Sequence, residues 1–471
     1  MGRRLALALL ILAGGCATHS RRAESAPVAE LWVTTGERSR LLAREPDLPI
    51  HMGAASAQAV IDVDETTTYQ SIVGFGAALT DASALLLGRL PSAQRDTILR
   101  ELFGPEPGIG LSFVRVPMGA SDFSTRHYSY DDVPAGARDT ALAHFSIDAD
   151  RADRLPLLRR ALAINSELRI VASPWSAPAW MKSTGSLIQG TLRRDAFAPF
   201  ADYFVRFVRA YAAEGIPVFA VTVQNEPAFE PADYPGMRLD AATRAELIGR
   251  HLGPRFAQAG IATTILDWDH NWDHPEEPLA VLADSAARRY VSGVAWHCYG
   301  GDVSAQETVR AKHPDKDVYF TECSGGDWAP TFSDNLLWSV RTLIIGTVRT
   351  GARGVALWNL ALDGRGGPHL GGCGNCRGVL TIDSRSGAVT RNEEYYALAH
   401  ASRFVRSGAR RIASSTSVAG LETVAFRNVD ASRVLIVANP AATAATFVVR
   451  DGTRWIESRV PGTGVATLRW R

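Results

Sequence analysis

Lysine is nearly missing from this chain of 471 residues, where it accounts for three of the 50 basic residues. The 49 acidic residues bring the net charge to +1, so no excess of one sign attracts nucleic acid. Hydrophobic residues make up 46% and charged residues 21% of the sequence, as in a globular protein with a large core. This composition excludes a disordered chain and a coiled coil, and we expect no nucleic-acid partner.

Long hydrophobic runs are missing as well, except for the apolar residues 5–13 near the N-terminus. Two arginines precede this run and small residues ending at Cys16 follow it, which is typical of an export signal too short to span a bilayer. We predict that residues 1–26 are a signal peptide and that the protein is exported to the periplasm, the outer membrane or the extracellular medium. The stretch before Cys16 is similar to a bacterial lipoprotein processing site, so membrane attachment through a lipidated Cys16 and ordinary cleavage near Ala17 are both open.

Cysteine is scarce, and four of the five cysteines follow the predicted signal peptide. Cys373-Gly-Asn-Cys376 lies in a Gly-rich segment, and in an exported chain it indicates a local disulfide rather than a redox motif. A zinc site would need two more ligands, and the sequence has no second pair of cysteines at this spacing. Cys298 and Cys323 are candidates for a second disulfide, but the sequence alone does not establish that they pair.

From residue 70 onward, short β-rich runs alternate with amphipathic segments. We predict eight strands, over residues 72–76, 111–117, 168–174, 218–224, 263–268, 293–299, 318–322 and 354–359. We predict helices between them, over residues 81–103, 152–164, 197–213, 241–259, 278–289 and 333–349. Eight such units favour a (β/α)8 TIM barrel over residues 70–404, with a doubly wound sheet as the alternative.

Polar and aromatic residues stand at or just beyond the ends of nearly all these strands. They are Arg115, Asp122, Trp175, Asn225, Glu226, Asp267, Asp269, His270, His297, Tyr299, Glu322, Trp358 and Asn359. In a barrel, the carboxyl ends of all eight strands meet at one mouth, where active sites form. A doubly wound sheet concentrates its site at one switch point, so this distribution favours the barrel.

After residue 404 the pattern changes to short alternating strands, predicted over residues 421–426, 433–437, 446–449 and 465–470. They indicate a small antiparallel β-sandwich over residues 405–471. Residues 27–69 carry similar runs, and we expect them to add strands to the same sandwich. The predicted fold class is therefore α/β, a (β/α)8 TIM barrel with an accessory antiparallel β-sandwich domain.

Glu226 and Glu322 each end an apolar strand, where a carboxylate is costly unless solvent or a partner receives it. As ends of the fourth and seventh strands, they would face each other across the mouth. Two facing carboxyl groups suit glycoside hydrolysis, which is retaining at a separation of about 5–5.5 Å and inverting at about 6.5–9.5 Å. Two merely structural carboxylates would not require both to stand at strand ends. Asn225 adds an amide that can hold a sugar hydroxyl.

Five segments resemble those of glycoside hydrolase family 30, to which lysosomal acid β-glucosidase (glucosylceramidase) belongs. They are AVTVQNEP at 220–227, RVPMGASDFS at 115–124, ASPWSAPAWMK at 172–182, FTECSGG at 320–326 and WNLAL at 358–362. The resemblance implies a retaining β-glycosidase that hydrolyses β-glucosidic linkages by double displacement. Its partner would be a β-glucoside, a β-glucan or a glycolipid.

The resemblance also implies roles for individual residues. Glu226 would be the general acid/base, and Glu322 the nucleophile that Arg115 keeps ionised. The expected sugar-binding residues besides Arg115 are Asp122, Trp175, Asn225, His297, Tyr299, Trp358 and Asn359. We expect burial and the charge of Glu322 to raise the pKa of Glu226, which keeps it protonated before bond cleavage.

Two alternatives remain for the substrate and the class of protein. The sequence after Glu322 and the loop at 371–377 resemble bacterial members of the family, which include glucosylceramidase-like enzymes and endo-β-1,6-glucanases. The alternative enzyme is therefore an endo-β-1,6-glucanase. The alternative from another class is a non-catalytic carbohydrate-binding protein, but the presence of both glutamates favours catalysis.

Three weaker patterns carry further expectations. The glycines at 74–79 lack the third glycine of a dinucleotide fingerprint, so we expect no cofactor. Residues 267–274 alternate Asp and His with Trp, which we interpret as sugar contacts on a loop rather than a metal site. The aromatic residues Phe123, Tyr128 and Tyr130 either line an aglycone groove or pack a long loop.

Overall fold

A computed structural model of the chain describes residues 1–2, 27–54, 59–329 and 331–471. The predicted signal peptide, with Cys16, lies outside the described residues apart from its first two positions. Within the described part of the chain, no helix combines the length and apolar character needed to cross a bilayer.

Eight parallel strands form a barrel. Their bounds are Gly74–Ala77, Phe113–Pro117, Arg169–Ser173, Val218–Thr222, Thr264–Asn271, Val291–His297, Asp317–Glu322 and Ala352–Leu357. From the second strand to the eighth, neighbours along the chain pair with each other, and the eighth strand pairs with the first. A single parallel bridge between Ala78 and Arg115 joins the first strand to the second. A Cβ on Gly76 would lie 1.9 Å from the carbonyl oxygen of Phe113, so this close approach requires glycine. The predicted barrel is confirmed, and the doubly wound sheet is excluded.

A layer of apolar side chains fills the barrel interior. It consists of Val73, directly before the first strand, and of one residue from each of the other seven strands in turn, Phe113, Val171, Ala220, Leu266, Ala295, Tyr319 and Ala356. Side chains along a strand alternate between faces, so the residues two positions later also point inward. Those residues include Arg115, Ser173, Thr222, His297 and Thr321. The apolar layer thus forms a floor, and a polar layer lies above it toward the mouth.

Helices surround the barrel. The α-helices are Asp81–Arg89, Ser92–Phe103, Arg154–Ile164, Phe197–Ala213, Ala241–Glu246, Gly253–Gln258, Glu276–Ala283, Ser285–Arg288, Ala305–Lys312, Phe332–Trp338, Thr347–Arg349 and Glu393–Ser402. Short 3₁₀ turns lie at Asp148–Asp150, Ala179–Met181 and Arg194–Ala196, and π-helical turns at Leu247–Leu252 and Ser339–Gly346. The helix predicted over residues 81–103 is two helices, because Pro91 forces Leu90 into an extended conformation.

Ten strands form the second sheet. They are Val28–Thr35, Ala43–Pro49, His51–Met52, Val60–Ser71, Arg410–Thr416, Glu422–Arg427, Arg433–Asn439, Ala445–Asp451, Arg454–Val460 and Gly464–Trp470. All neighbours pair antiparallel except Val60–Ser71 with Ala445–Asp451. Leu31, Ile61, Leu435, Phe447 and Leu468 are among the residues of its separate apolar core. This confirms the predicted accessory β-sandwich.

The sandwich and the barrel meet at a buried histidine. His400, on the helix Glu393–Ser402, places its ring nitrogens 2.8 Å from the hydroxyls of Thr34 and Thr467, which lie on two paired sandwich strands. Burial lowers the pKa of His400 to about 3, so its ring is neutral. Small strand pairs beyond the barrel, Gly325–Gly326 with Cys376–Arg377 and Ala361–Leu362 with Leu380–Ile382 and Val389–Arg391, shape the loops near the mouth.

Candidate active site

Two carboxylates face each other at the barrel mouth. Glu322 is the last residue of the seventh strand, and Glu226 follows the fourth strand with a φ of 49°. One carboxylate oxygen of each lies within 4.8 Å of the other and of a ring nitrogen of His297. The side chains are 14% and 6% exposed, so both can be reached from the mouth. Their spacing is well below the about 6.5–9.5 Å of an inverting pair and agrees with the about 5–5.5 Å of a retaining pair.

Arg115 and Tyr299 hold Glu322 from two sides. The fully buried Arg115 donates from Nη1 to Oε2 of Glu322 at 2.5 Å and from Nη2 to Oδ1 of Asn225 at 2.7 Å. The hydroxyl of Tyr299 donates to the other oxygen, Oε1, at 3.0 Å. Hydrogen bonds to a carboxylate favour its ionised form, so both contacts stabilise the carboxylate form of Glu322.

His297 connects Glu226 to a buried aspartate. Its Nδ1 lies 3.1 Å from Oε1 of Glu226, and its Nε2 lies 3.0 Å from Oδ1 of Asp269. Burial alone lowers the pKa of His297, but the surrounding carboxylates raise it to about 9. The imidazolium therefore donates to Asp269 and to Glu226 in the free site.

The pKa values of the two glutamates reflect this arrangement. Burial raises the pKa of Glu226, but the hydrogen bond from His297 and the positive charges of His270, His297 and Arg115 together outweigh it and leave this pKa below its ordinary value. Burial keeps the pKa of Glu322 above its ordinary value, although His297 and Arg115 oppose the rise. The expectation of a raised pKa for Glu226 is therefore wrong for the free site. The proton between Glu226 and His297 resides on His297.

Asp269 is the centre of the polar layer above the floor. It is fully buried and accepts hydrogen bonds of 2.6–3.0 Å from Arg115, Ser173, Thr222, His297 and Thr321. Burial opposes its charge, but Arg115 and His297 bring the pKa of Asp269 far below its usual range. A permanent negative charge thus holds both cations of the site.

Irregular strand pairing aims two of these side chains. Opposite the sixth strand, Ala295 pairs with Trp268 and Trp296 with His270, so Asp269 is an extra residue with a φ of 55°. In the seventh strand, Thr321 is skipped in the same way before His297 pairs with Glu322. Bulges of this kind redirect side chains and are frequent next to active sites.

Two tryptophans and an aspartate line the other side of the mouth. Trp175 and Trp358 stack with ring centroids 5.1 Å apart, and both lie over the guanidinium of Arg115. Asp122 is 7% exposed, and burial together with the two glutamates raises its pKa well above the usual value. Asn359 is fully buried and accepts a hydrogen bond from Thr80 at 2.8 Å, so it lies behind this wall rather than on it.

Comparison with known families agrees with this geometry. The family model described as the glycosyl hydrolase family 30 TIM-barrel domain matches residues 72–405. The model described as the family's beta sandwich domain matches residues 408–468. The chain belongs to glycoside hydrolase family 30. It is therefore a glycosidase.

Individual members of family 30 are similar over most of the chain. An endo-1,6-beta-D-glucanase of Neurospora crassa is 36% identical over 404 residues, which covers 80% of this chain and 81% of that protein. The lysosomal acid glucosylceramidase of Mus musculus is 31% identical over 441 residues, with 86% and 82% covered. A solved endo-beta1,6-glucanase superimposes with a TM-score of 0.87 at 31% identity, covering 94% of this chain and 99% of that one.

The structure of this family 30 hydrolase decides two expectations, one about residues 267–274 as sugar contacts and one about three aromatic residues of a long loop. Residues 267–271 belong to the fifth strand, Thr264–Asn271, and not to a loop. Asp267 and Trp268 are fully buried, so the interpretation of this stretch as sugar contacts is wrong for them. Phe123, Tyr128 and Tyr130 are buried too, which supports loop packing rather than an aglycone groove.

Both cysteine pairs of the family 30 hydrolase are disulfides. Cys373 is bonded to Cys376, and Cys298 to Cys323. The loop before the first disulfide contacts Asp122, whose carbonyl accepts from the backbone N–H of Leu370 at 2.8 Å. The second disulfide, which the sequence did not establish, joins the ends of the sixth and seventh strands.

Ser173, Thr222 and Thr321, which donate hydrogen bonds to Asp269, were not predicted as site residues. A signal for Ser173 and Thr222 was present, because each stands two positions after an apolar residue of the barrel floor. Among the described residues, the structure gives one cluster of three possible metal ligands, Glu226, His297 and Glu322. Hydrogen bonds within the site already engage all three.

Proposed function

We propose that this family 30 member is a retaining β-glucosidase, with Glu226 as general acid/base and Glu322 as nucleophile. The observation that carries the proposal is the separation of at most 4.8 Å between one oxygen of each carboxylate. A retaining reaction needs the nucleophile to reach the anomeric carbon directly, whereas an inverting reaction needs space for a water.

In the first step, the carboxylate of Glu322 attacks the anomeric carbon, and the bond from that carbon to the leaving oxygen breaks. Glu226 protonates the leaving oxygen with the proton that His297 holds 3.1 Å away in the free site. Substrate that displaces water from the mouth favours this transfer, because a neutral Glu226 and a neutral His297 are less costly there than an ion pair. Asp269 keeps its hydrogen bond to Nε2 and so holds the tautomer that can give up the Nδ1 proton.

In the second step, Glu226 takes a proton from water, whose oxygen attacks the same carbon and releases Glu322. Formation of the glycosyl-enzyme has by then neutralised Glu322, so the carboxylate of Glu226 no longer faces a second negative charge. Two successive inversions retain the configuration at the anomeric carbon.

The bound glucosyl ring lies between the carboxylate pair and the wall formed by Trp175 and Trp358. Asp122 and Asn225 bind its hydroxyl groups, and Tyr299 and His297 contact it from the side of the sixth strand. Asn359 lies behind the wall and holds Thr80, so we assign it no contact with the sugar.

For the natural substrate we propose a β-1,6-glucan, cleaved within the chain. Endo-1,6-glucanases are among the relatives with 34–36% identity, and the lysosomal glucosylceramidase is 31% identical. Exposed apolar side chains on several loops at the mouth, Phe229, Tyr299, Trp328 and Leu370, offer surfaces beyond a single sugar. A glycolipid is the second candidate, because the same surfaces accept apolar groups and glucosylceramidases belong to the family.

The test is hydrolysis of an aryl β-glucoside, β-1,6-glucan, β-1,3-glucan and glucosylceramide by the wild type and by two isosteric variants. We expect Glu322→Gln to lose about 10⁴-fold in kcat on every substrate. Glu226→Gln keeps more activity on an aryl glucoside with a good leaving group, and added azide restores its turnover. Proton NMR of the first product should show the β-anomer.

Full activity of Glu322→Gln would contradict the assignment, and an α-anomer as first product would contradict retention. Binding of glucan by the wild type without hydrolysis of any of the four substrates would favour the non-catalytic alternative.

We further propose that the signal region over residues 1–26 directs export and that cleavage directly before Cys16 leaves this cysteine as the lipidated first residue. Support comes from the sequence pattern alone. Fractionation of cells producing the wild type and Cys16→Ser tests this, since a lipoprotein is found with membranes and the variant in the soluble exported fraction.

A further inference from the structure

A disulfide lies within one residue of three groups of the proposed catalytic machinery. Cys298 stands between His297 and Tyr299, and Cys323 directly follows Glu322. The bond between the two cysteines brings their Cα atoms to 5.5 Å. Cys323 is fully buried, whereas Cys298 is partly accessible.

The disulfide connects the sixth and seventh strands directly after their last hydrogen-bonded pair. The sixth and seventh strands pair from Gly293 and Asp317 onward, with a bulge at Thr321, and the last pair is His297 with Glu322. A bulge interrupts the regular main-chain ladder and leaves the local register less constrained. The next residue on each strand is the cysteine, so a covalent bond replaces the hydrogen bonds at this point.

Tyr299 depends on this link more than its neighbours do. His297 is fully buried and bound on both ring nitrogens, but Tyr299 is 46% exposed. Its described polar contacts are the hydroxyl on Glu322 and a backbone N–H that donates to Asn271 at 3.0 Å. Its ring also packs edge-on against the ring of His297, with centroids 6.2 Å apart, and close to half of the residue faces solvent.

We propose that the Cys298–Cys323 disulfide is a positioning element that keeps the Tyr299 hydroxyl on the nucleophile Glu322. This inference rests on the proposed function of Glu322. Without the link, Tyr299 swings toward solvent and Glu322 loses one of its two hydrogen-bond donors. Arg115 remains in place because the barrel interior holds it independently of the sixth strand.

The consequence is specific to the ionisation of Glu322. A carboxylate with one donor fewer holds its proton to a higher pH. We expect the acid limb of the pH profile of kcat/KM to move upward by about one pH unit, and kcat/KM near the optimum to fall by about tenfold. KM for a small aryl glucoside should rise as well, because Tyr299 also contacts the bound sugar, so the position of the acid limb is the diagnostic readout.

The experiment compares the double variant Cys298→Ser/Cys323→Ser with the matched variant Cys373→Ser/Cys376→Ser. Both lose one disulfide, but the second lies in the loop that contacts Asp122. We expect the second variant to act through KM and to leave the acid limb in place. Melting temperatures and circular dichroism show whether each variant is folded.

A double-mutant cycle with Tyr299→Phe separates positioning from general stability. Tyr299→Phe should itself move the acid limb upward. If the disulfide acts through Tyr299, its removal in the Tyr299→Phe background adds no further shift. Additive shifts, or an acid limb that stays in place when the disulfide alone is removed, would overturn the proposal.

If the serine variant does not fold, the wild type is reduced with a phosphine under native conditions and its thiols are counted. The same shift, reversed on reoxidation, supports the proposal, and unchanged kinetics with both thiols of this pair free overturn it. Failure of the proposed function is seen separately, as activity that survives in Glu322→Gln.

Discussion

Asp269→Asn is the substitution that tests the polar layer most directly. Each carboxylate oxygen of Asp269 accepts at least two hydrogen bonds. In Asp269→Asn, one of these oxygens becomes an NH2 group, which cannot accept, so two or three buried donors lose their acceptor. Each buried donor left unpaired costs about 1–3 kcal/mol, and breaking a buried ion pair costs about 3–5 kcal/mol. We expect the free energy of unfolding to fall by about 3–5 kcal/mol, a large share of the roughly 5–15 kcal/mol of a typical domain.

The activity of Asp269→Asn should fall as well, because His297 loses the carboxylate that orients it toward Glu226. General acid catalysis contributes about 10²–10⁴-fold, so we expect kcat to fall by about 10²–10³-fold. The assay is hydrolysis of an aryl β-glucoside, with urea unfolding followed by tryptophan fluorescence on the same preparations.

The charge of His297 makes the free energy of unfolding depend on pH. The pKa of folded His297 is about 9, above the ordinary value of about 6.5, so its contribution of about 3 kcal/mol is fully present below pH 6.5 and is lost as the pH rises to about 9. Removing the charge of Asp269 lowers this pKa. The decline of stability between about pH 6.5 and 9 should therefore be shallower in Asp269→Asn than in the wild type.

Asp267→Asn is the matched control. Asp267 lies two residues earlier on the same strand, is equally buried, and accepts from Nε of Arg244 at 2.9 Å away from the site. We expect a comparable loss of stability with kcat retained. Equal kcat losses in both variants, or wild-type stability and kcat in Asp269→Asn, would refute this reasoning.

Three further substitutions address other parts of the site. Tyr299→Phe removes a hydrogen bond to charged Glu322, worth about 1.5–3 kcal/mol, so the acid limb of kcat/KM should rise by about one to two pH units; an unmoved limb would contradict the contact. Arg115→Met leaves Asp269 and Glu322 without the arginine between them, and we expect kcat/KM for an aryl glucoside to fall by at least about 10³-fold. Circular dichroism shows whether this variant is folded. Phe229→Ala removes an exposed ring one turn beyond Glu226, and we expect KM for β-1,6-glucan to rise about tenfold while that for an aryl glucoside stays constant.

The sequence was informative where a local pattern decides the structure. All eight barrel strands were predicted in order, because each is a short apolar run between amphipathic segments. The strand Arg410–Thr416 was not predicted, since its sequence RRIASST lacks apolar alternation. Its place is determined by Glu422–Arg427 and by Val60–Ser71, which pairs with it from more than 300 residues away.

The candidate site was predictable as a set of residues but not as a network. Glu226 and Glu322 stand out because carboxylates at the ends of apolar strands are unusual. The central position of Asp269 could not be predicted in the same way. Its side chain points into the barrel because of a bulge, and that bulge forms only when the fifth strand pairs with the sixth. The pairing of Cys298 with Cys323 depends on the same neighbourhood, as does the position of the proton on His297.

The packed floor of the barrel restricts how the reaction ends. In the part of the chain that the structure describes, apolar side chains from Val73 to Ala356 close the interior below the two carboxylates. In the proposed mechanism, the water that releases the sugar from Glu322 must then enter through the mouth, by the route on which the first product leaves. A second glucan chain waiting at that position competes with water for the glycosyl group. At high glucan concentration the enzyme should therefore transfer sugar units to glucan chains (transglycosylation) as well as hydrolyse them.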